Sequence, residues 1–170
     1  MKLVKTPIKI VEKSPTQEVG NKVVKGNGIS AAIAAVPFHK YNQKQKQPKK
    51  AWTVLLDSGS DGDLIFVTKE GLKNIPHVKR YAPSKWETSN GTFKTTKVGN
   101  LELLFPDFSR SKFFSVSPDV VELQDDDDEP MFNLIIGTET LAKFGVVLDF
   151  GQKTIILDHI SSPMQPLNAF

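Results

Sequence analysis

Asp57-Ser58-Gly59 stands at the end of an apolar run, Trp52-Thr53-Val54-Leu55-Leu56, and is followed by Ser60-Asp61-Gly62-Asp63. A buried strand that delivers a carboxylate into a tight turn raises its pKa, because burial disfavours the charged form. A second ionised carboxylate nearby raises it further. Gly59 lets backbone approach the carboxylate with no Cβ in the way, and Ser58 and Ser60 offer hydroxyls to fix the loop. One such carboxylate does little alone. Two held close share a proton, so that at moderate pH one is base and the other acid. The ionised member takes a proton from a bound water, and the protonated member donates to a peptide carbonyl as the tetrahedral intermediate forms. This chemistry requires no metal and no cofactor, and neither is expected.

The chain has 170 residues and a single Asp-Ser/Thr-Gly triplet. That length suits one domain with some additional tail rather than two large lobes. The simplest route to a carboxylate pair is therefore a C₂ homodimer that places two Asp57 side chains across its axis.

Other readings of the same residues fail on spacing. As a calcium loop starting at Asp57, the segment has Gly59 at position three and Thr68 rather than Glu at position twelve. A phosphatase nucleophile would need a second Asp where Gly59 stands. Asp149-Phe150-Gly151 resembles a kinase metal motif but lacks the accompanying glycine-rich and catalytic loops; it reads as a strand end and turn. His39, His77 and His159 are far apart and show no metal spacing. No Gly-x-Ser-x-Gly elbow is present.

The elements that must position Asp57 read mostly as strands. Ile29 to Phe38 and Trp52 to Leu56 form a hairpin whose tip is the Gln/Lys-rich loop Tyr41 to Lys50. Leu64 to Val67 resumes as strand, and Glu70 to Asn74 reads as one helical turn. Trp86 to Thr95 reads as a hairpin around Asn90-Gly91, two residues that tolerate positive φ. Leu101–Phe105 and Phe113–Val116 add strands. Asp125 to Glu129 is an acidic run that reads as a solvated loop. Phe132 to Ile136 ends at Gly137, and Thr138 to Phe144 forms a short helix closed by Gly145. Val146–Phe150 and Thr154–Leu157 form a last hairpin around Gly151-Gln152. The expectation is an all-β domain over 28–158 with one short C-terminal helix, a basic leader or spacer over 1–27, and a C-terminal tail over 159–170.

Charge is divided unevenly. Residues 1–50 carry 11 Lys and 2 Glu, a net of +9, and the remainder carries 11 basic and 17 acidic residues, a net of −6. A basic leader can touch nucleic acid through counterion release. Its lysines are scattered without interleaved aromatics, so a solvated linker is the preferred reading, and no nucleic-acid binding is expected of the domain. Cysteine is absent, which excludes disulfides and thiolate chemistry and fits a reducing, cytoplasmic compartment. No stretch approaches 18 apolar residues, so no membrane span is expected.

Three stations, in order, resemble those of the retroviral and retrotransposon aspartic proteases, the retropepsins. Val54-Leu55-Leu56-Asp57-Ser58-Gly59-Ser60-Asp61 is similar to the active-site loop. Ser89-Asn90-Gly91-Thr92-Phe93 sits where that family has its flap. Leu134-Ile135-Ile136-Gly137, with Leu141 and Gly145, is similar to the apolar-Gly segment and its helix. The Asn-Gly and the ending Gly145 to Phe150 resemble the Ty3/gypsy retrotransposon branch more than the vertebrate viruses. The resemblance implies a closed β-barrel acting as a homodimer, with a polypeptide substrate between flaps and dyad. It implies that Asp57 is catalytic and that Ser58, Gly59, Ser60 and Asp61 contact substrate or brace the loop. Asn90, Gly91 and Thr92 would form a mobile lid, with Ile136 and Gly137 as core support. It further implies a place in a Gag-Pol type polyprotein, inside virus-like particles. Two departures stand out: Ser58 replaces the commoner Thr, and Thr138 stands where vertebrate viral enzymes often carry an Arg that pairs with the residue at Asp61.

Overall fold

Three neighbouring apolar segments, each covered on both faces, set the centre of the structure. The structure is a computed structural model that describes residues 16–19, 22–25, 28–38 and 50–170. The Gln/Lys hairpin tip, His39, and most of the 1–27 leader lie outside the described residues. Within the leader, β1 (Thr16–Val19) and β2 (Lys22–Lys25) form an antiparallel pair. The chain continues through β3 (Ala32–Phe38), β4 (Trp52–Leu56), β5 (Leu64–Thr68), α1 (Lys69–Leu72), β6 (His77–Thr88), β7 (Gly91–Gly99), β8 (Leu101–Leu104), β9 (Phe113–Val116) and β10 (Asp119–Leu123). It ends with β11 (Leu134–Ile136), α2 (Thr138–Lys143), β12 (Val147–Asp149), β13 (Thr154–Leu157), β14 (Ile160–Pro163) and a 3-10 turn at Leu167–Ala169. Among the described residues no helix is long and apolar enough to cross a membrane.

Nine strands pair in the order β6-β7-β10-β5-β11-β4-β3-β8-β9. At the centre, β11 lies between β4, to which it is parallel, and β5, to which it is antiparallel. β10 runs parallel to β5 on its other side. Side chains alternate between two cores. Val54, Leu56, Ile65, Val67, Leu134 and Ile136 enter the larger one. Leu55, Leu64 and Ile135 enter the smaller one on the opposite face, with Trp86, Phe132 and Leu167. Burial on both faces explains why these segments read as unbroken apolar runs rather than alternating ones. The larger core is completed by Phe105, Phe114 and Phe144, whose rings meet at centroid distances of 4.9 to 6.2 Å. The sheet β12-β13-β14 adds Ile155 and Leu157 to it.

The fold is mostly β with few helices, as expected, but the expected closed barrel does not form. The ladder is open, with β6 and β9 at its edges. Along β6 only Trp86 is buried, and Val78 and Tyr81 on this edge strand stay exposed. α1 adds a second short helix, with Thr68 Oγ accepting from Gly71 N–H as its N-cap. Helix α2 ends as its glycine predicts. Gly145 has φ 62°, and bonds from Gly145 N–H to Ala142 O and Val146 N–H to Leu141 O close a Schellman motif.

Two turns differ from expectation. The β6–β7 loop is Ser89-Asn90, with Thr88 paired to Gly91. Only Gly91 takes a positive φ, 127°. Thr88 Oγ accepts from Asn90 N–H at 3.0 Å and thereby stabilises the turn. The expected tail, 159–170, is integrated in the fold. Asp158 and His159, with φ of 50° and 67°, make a two-residue turn into β14. Pro166 bridges to Ile29, and Ser30 N–H donates to Gln165 O at 2.9 Å. Leu167 is fully buried. The turn was not legible because both positive-φ positions carry residues other than the Asn-Gly that usually marks them.

Gly137 sits where β11 leaves the sheet and passes the loop after β4. A Cβ placed there would lie 2.5 Å from Gly62 O and 2.6 Å from Ser60 O, so the position has no room for a side chain although its φ of −93° suits any residue.

Two stability measurements follow from this packing. In chemical denaturation, Leu167→Ala is expected to cost about 2–5 kcal/mol, the range for truncating a buried leucine. A loss below ~0.5 kcal/mol, the size of a surface effect, would instead make 159–170 a loose tail. Gly137→Ala is expected to destabilise by about 1–3 kcal/mol through overpacking; parental stability would show that the two loops separate freely.

Candidate active site

Asp57 follows the last residue of β4, and the backbone holds it from two sides. Its N–H donates to Ile136 O at 2.9 Å, and its C=O accepts from Ser60 N–H at 3.2 Å. The side chain is fully buried. Oδ1 accepts from Gly59 N–H at 2.8 Å. Oδ2 is buried and has no hydrogen-bond partner among the described residues. Burial pushes the carboxyl above its ordinary value of 3.8, and the hydrogen bond from Gly59 offsets part of that rise. A carboxyl with an unsatisfied buried oxygen is costly to keep ionised, so the site shifts the balance toward the protonated acid, with Oδ2 unpaired among the described residues.

The neighbouring residues divide into two groups. Ser58, Gly59 and Asp61 are exposed, whereas Ser60 is fully buried and its Oγ donates to Gly62 O at 2.7 Å. Ile136 and Gly137 come against this loop: Ile136 through its carbonyl, Gly137 through its close approach, and the next residue through Thr138 N–H to Ser60 O at 2.8 Å. Asp61, expected to meet substrate or brace the loop, is exposed. The bracing carboxylate is Asp63, whose Oδ1 accepts from Gly137 N–H at 2.7 Å and Oδ2 from Thr140 Oγ at 2.5 Å. Asp61 lies at the exposed turn, while Asp63 immediately precedes β5 and is drawn into the interior with it. Thr140, one helical turn along from Gly137, supplies a hydroxyl for this carboxylate.

Asn90, Gly91 and Thr92 lie exposed at the tip of the β6–β7 hairpin. The hairpin's base is anchored. Trp86 and Phe93 are cross-strand partners with parallel rings 6.0 Å apart. Both pack into the smaller core with Leu55, two residues before Asp57. Below them Asp119, also buried, accepts from Trp86 Nε1 and Thr95 Oγ, each at 2.9 Å, and pairs with Arg80. Sequence reasoning missed Asp63, Thr140 and Asp119. The available signal was an acid directly before a β-branched or apolar run, at Asp63-Leu64-Ile65 and Asp119-Val120-Val121.

Among the described residues no group of three His, Asp or Glu side chains is arranged to hold a metal ion. His77 Nδ1 lies 2.7 Å from Ile75 O, at a strand end. A cavity of about 470 Å³ lined by Lys50, Trp52, Glu129, Met131 and Phe170, among others, includes none of the Asp57 loop residues. Asp125 to Glu129 are exposed, and the Asp127 carboxylate accepts from Gln124 N–H in a local turn, consistent with a solvated loop.

No protein-family model matches the chain, and no curated protein matches it by sequence. Among solved structures it is similar to the crystal structure of the retroviral protease-like domain of Ddi1 from Leishmania major. That match has a TM-score of 0.50 and 15% sequence identity, and covers 85% of this chain and 98% of that one. At this identity the likeness concerns the fold: the chain that carries Asp57 has a retroviral protease-like fold.

Proposed function

We propose that the chain is an aspartic endopeptidase in which two copies of Asp57, one from each protomer of a homodimer, activate a water for attack on a peptide bond. The observation that carries this reading is the Asp57 carboxyl itself. It is buried at a strand end, held by Gly59 through one oxygen, and unpartnered at the other. A partner carboxyl at Oδ2 would share its proton and divide the roles of acid and base between the two copies. The single triplet in the chain and the retroviral protease-like fold support the same arrangement. Oδ2 is buried within one chain, so substrate and a partner carboxyl reach it only when a lid moves. The β6–β7 hairpin, with Asn90, Gly91 and Thr92 at its tip, is the element we assign to that lid. Ser58, Gly59, Ser60 and Asp61 would then meet substrate backbone or hold the loop.

The natural substrate we propose is a Gag-Pol type polyprotein of a Ty3/gypsy-like element, cut in the cytoplasm inside virus-like particles. The basic segment before the domain, rich in lysine and free of cysteine, suits a spacer in such a polyprotein.

Incubation of the purified chain with a peptide library at mildly acidic pH should give cleavage that pepstatin blocks. The specific rate should rise with protein concentration, because mass action governs dimer formation. Asp57→Asn should lower the rate at least ~1,000-fold, within the range that acid–base groups supply. Cleavage that survives the substitution would remove the assignment.

The raised pKa gives a second test. A carboxyl whose folded-state pKa exceeds its unfolded value costs nothing below the unfolded value, and costs stability as pH rises through the folded one. Asp57→Asn removes that cost, so the variant's melting temperature should gain on the parent's between pH 3 and pH 7, by about a few degrees at most. A difference that stays constant across this range would contradict the buried, raised carboxyl.

A further inference from the structure

We infer that Asp119 is a positioning residue that fixes the β6–β7 hairpin relative to the Asp57 loop; as a statement about a lid, this rests on the function proposed above. Three donors from the hairpin converge on its buried carboxylate: Arg80 on Oδ1, and Trp86 Nε1 and Thr95 Oγ on Oδ2, both at 2.9 Å. Trp86 and Thr95 also meet each other at 3.3 Å. The two come from opposite strands of the hairpin, in the Ser84–Thr95 and Trp86–Phe93 pairs, with only the Lys85–Lys94 pair between them. One carboxylate therefore clamps both strands at the level where the exposed tip begins.

Arg80 reaches this carboxylate because the hairpin is irregular. Lys79 pairs with Lys97 and Ser84 with Thr95, so Arg80 to Pro83 face Thr96 alone. This extra length throws Tyr81 fully into solvent and brings the guanidinium of Arg80 to Asp119. Bulges of this kind re-aim side chains at sheet edges. An acid buried at the edge of an apolar core is costly unless paired and hydrogen-bonded. Here three of its donors come from the hairpin, so displacing the hairpin exposes part of that cost. The carboxylate thus favours one hairpin position over others.

The other end of the residue is tied to the catalytic loop. Asp119 N–H donates to Asp63 O at 2.9 Å, and Asp63 holds Gly137 and Thr140 through its own carboxylate. Gly137 in turn abuts Ser60 and Gly62. Asp119 and Asp63 are therefore two acids joined by one backbone hydrogen bond, the first receiving the hairpin and the second receiving the apolar-Gly segment behind Asp57. Neither has a counterpart among the stations by which the sequence resembles the retropepsins.

Amide hydrogen exchange resolved by segment tests this on the intact chain without any turnover. In Asp119→Ala, exchange across residues 84–96 should rise about ten-fold or more, while the amides of β4, β5 and β11 keep parental protection, because local opening is then cheaper than global unfolding. Trp86 fluorescence should shift to the red in the same variant. Where cleavage is measured, KM should rise by about ten-fold with a smaller change in kcat, the pattern of lost substrate binding rather than lost chemistry. Unchanged exchange over 84–96, or protection lost equally throughout the sheet, would overturn the proposal. If Asp119→Ala does not fold, Thr95→Val and Arg80→Gln each remove one donor and are read in the same way. A local rise in hairpin exchange supports the clamp, and parental exchange in both overturns it. A chain that never cleaves peptide would sink the catalytic reading and leave the exchange result to decide this one.

Discussion

A carboxyl buried at the end of a strand, with one oxygen satisfied by Gly59 N–H and the other unsatisfied, is the constraint around which the rest of the structure is arranged. Burial of an acid costs free energy, and a fold tolerates it only where the surroundings over-determine its position. Here they do. β4 is held between β3 and β11. The backbone of Asp57 bonds to Ile136 on one side and to Ser60 on the other. Gly137 approaches so closely that a methyl group would not fit. The strand end and the Oδ1 oxygen are therefore held from several sides, as a group must be if it is to share a proton with a second carboxyl.

The supporting arrangement is built from strands that cross. Parallel pairing of β11 with β4 and of β10 with β5 brings sequence-distant segments behind the loop. Asp63 and Asp119 stand at the start of the β5–β10 ladder, in register just before and at the Leu64–Asp119 pair. Each accepts donors from a different segment: Gly137 and Thr140 for one, the β6–β7 hairpin for the other. Hydrogen bonds to a carboxylate are roughly twice as strong as neutral ones, and two carboxylates joined at this crossing add polar anchoring to segments that also pack through apolar side chains. The hairpin illustrates the point. Its tip is polar and exposed, and only its base, at Trp86 and Phe93, is packed.

Much of this was legible in the sequence because it rests on local chemistry. The apolar run into Asp57, the apolar-Gly segment at Ile136-Gly137, and the helix closed by Gly145 each carry their signal within a few residues. Four features were not legible for a physical reason. The bracing role of Asp63 depends on its being drawn inward by the next strand, which the run Ser60-Asp61-Gly62-Asp63 does not encode. The clamp at Asp119 depends on side chains from Arg80, Trp86 and Thr95, brought together by pairing across 24 to 39 residues. The open ladder in place of a closed barrel depends on which strands end up at the edges, β6 and β9, a property of the sheet as a whole. The last twelve residues were read as tail because Asp158-His159 adopts a turn usually built from other residues.

The central claim is that Asp57 is half of an acid–base pair. The most direct measurement is the separation of the two Asp57 carboxyls in a crystal structure of the assembled protein with a bound peptide analogue. The account predicts that Oδ2 of one protomer lies within hydrogen-bonding distance of its partner's carboxyl, about 2.5–3.0 Å. Carboxyls too far apart to share a proton, in a chain that nonetheless cleaves peptides, would contradict it.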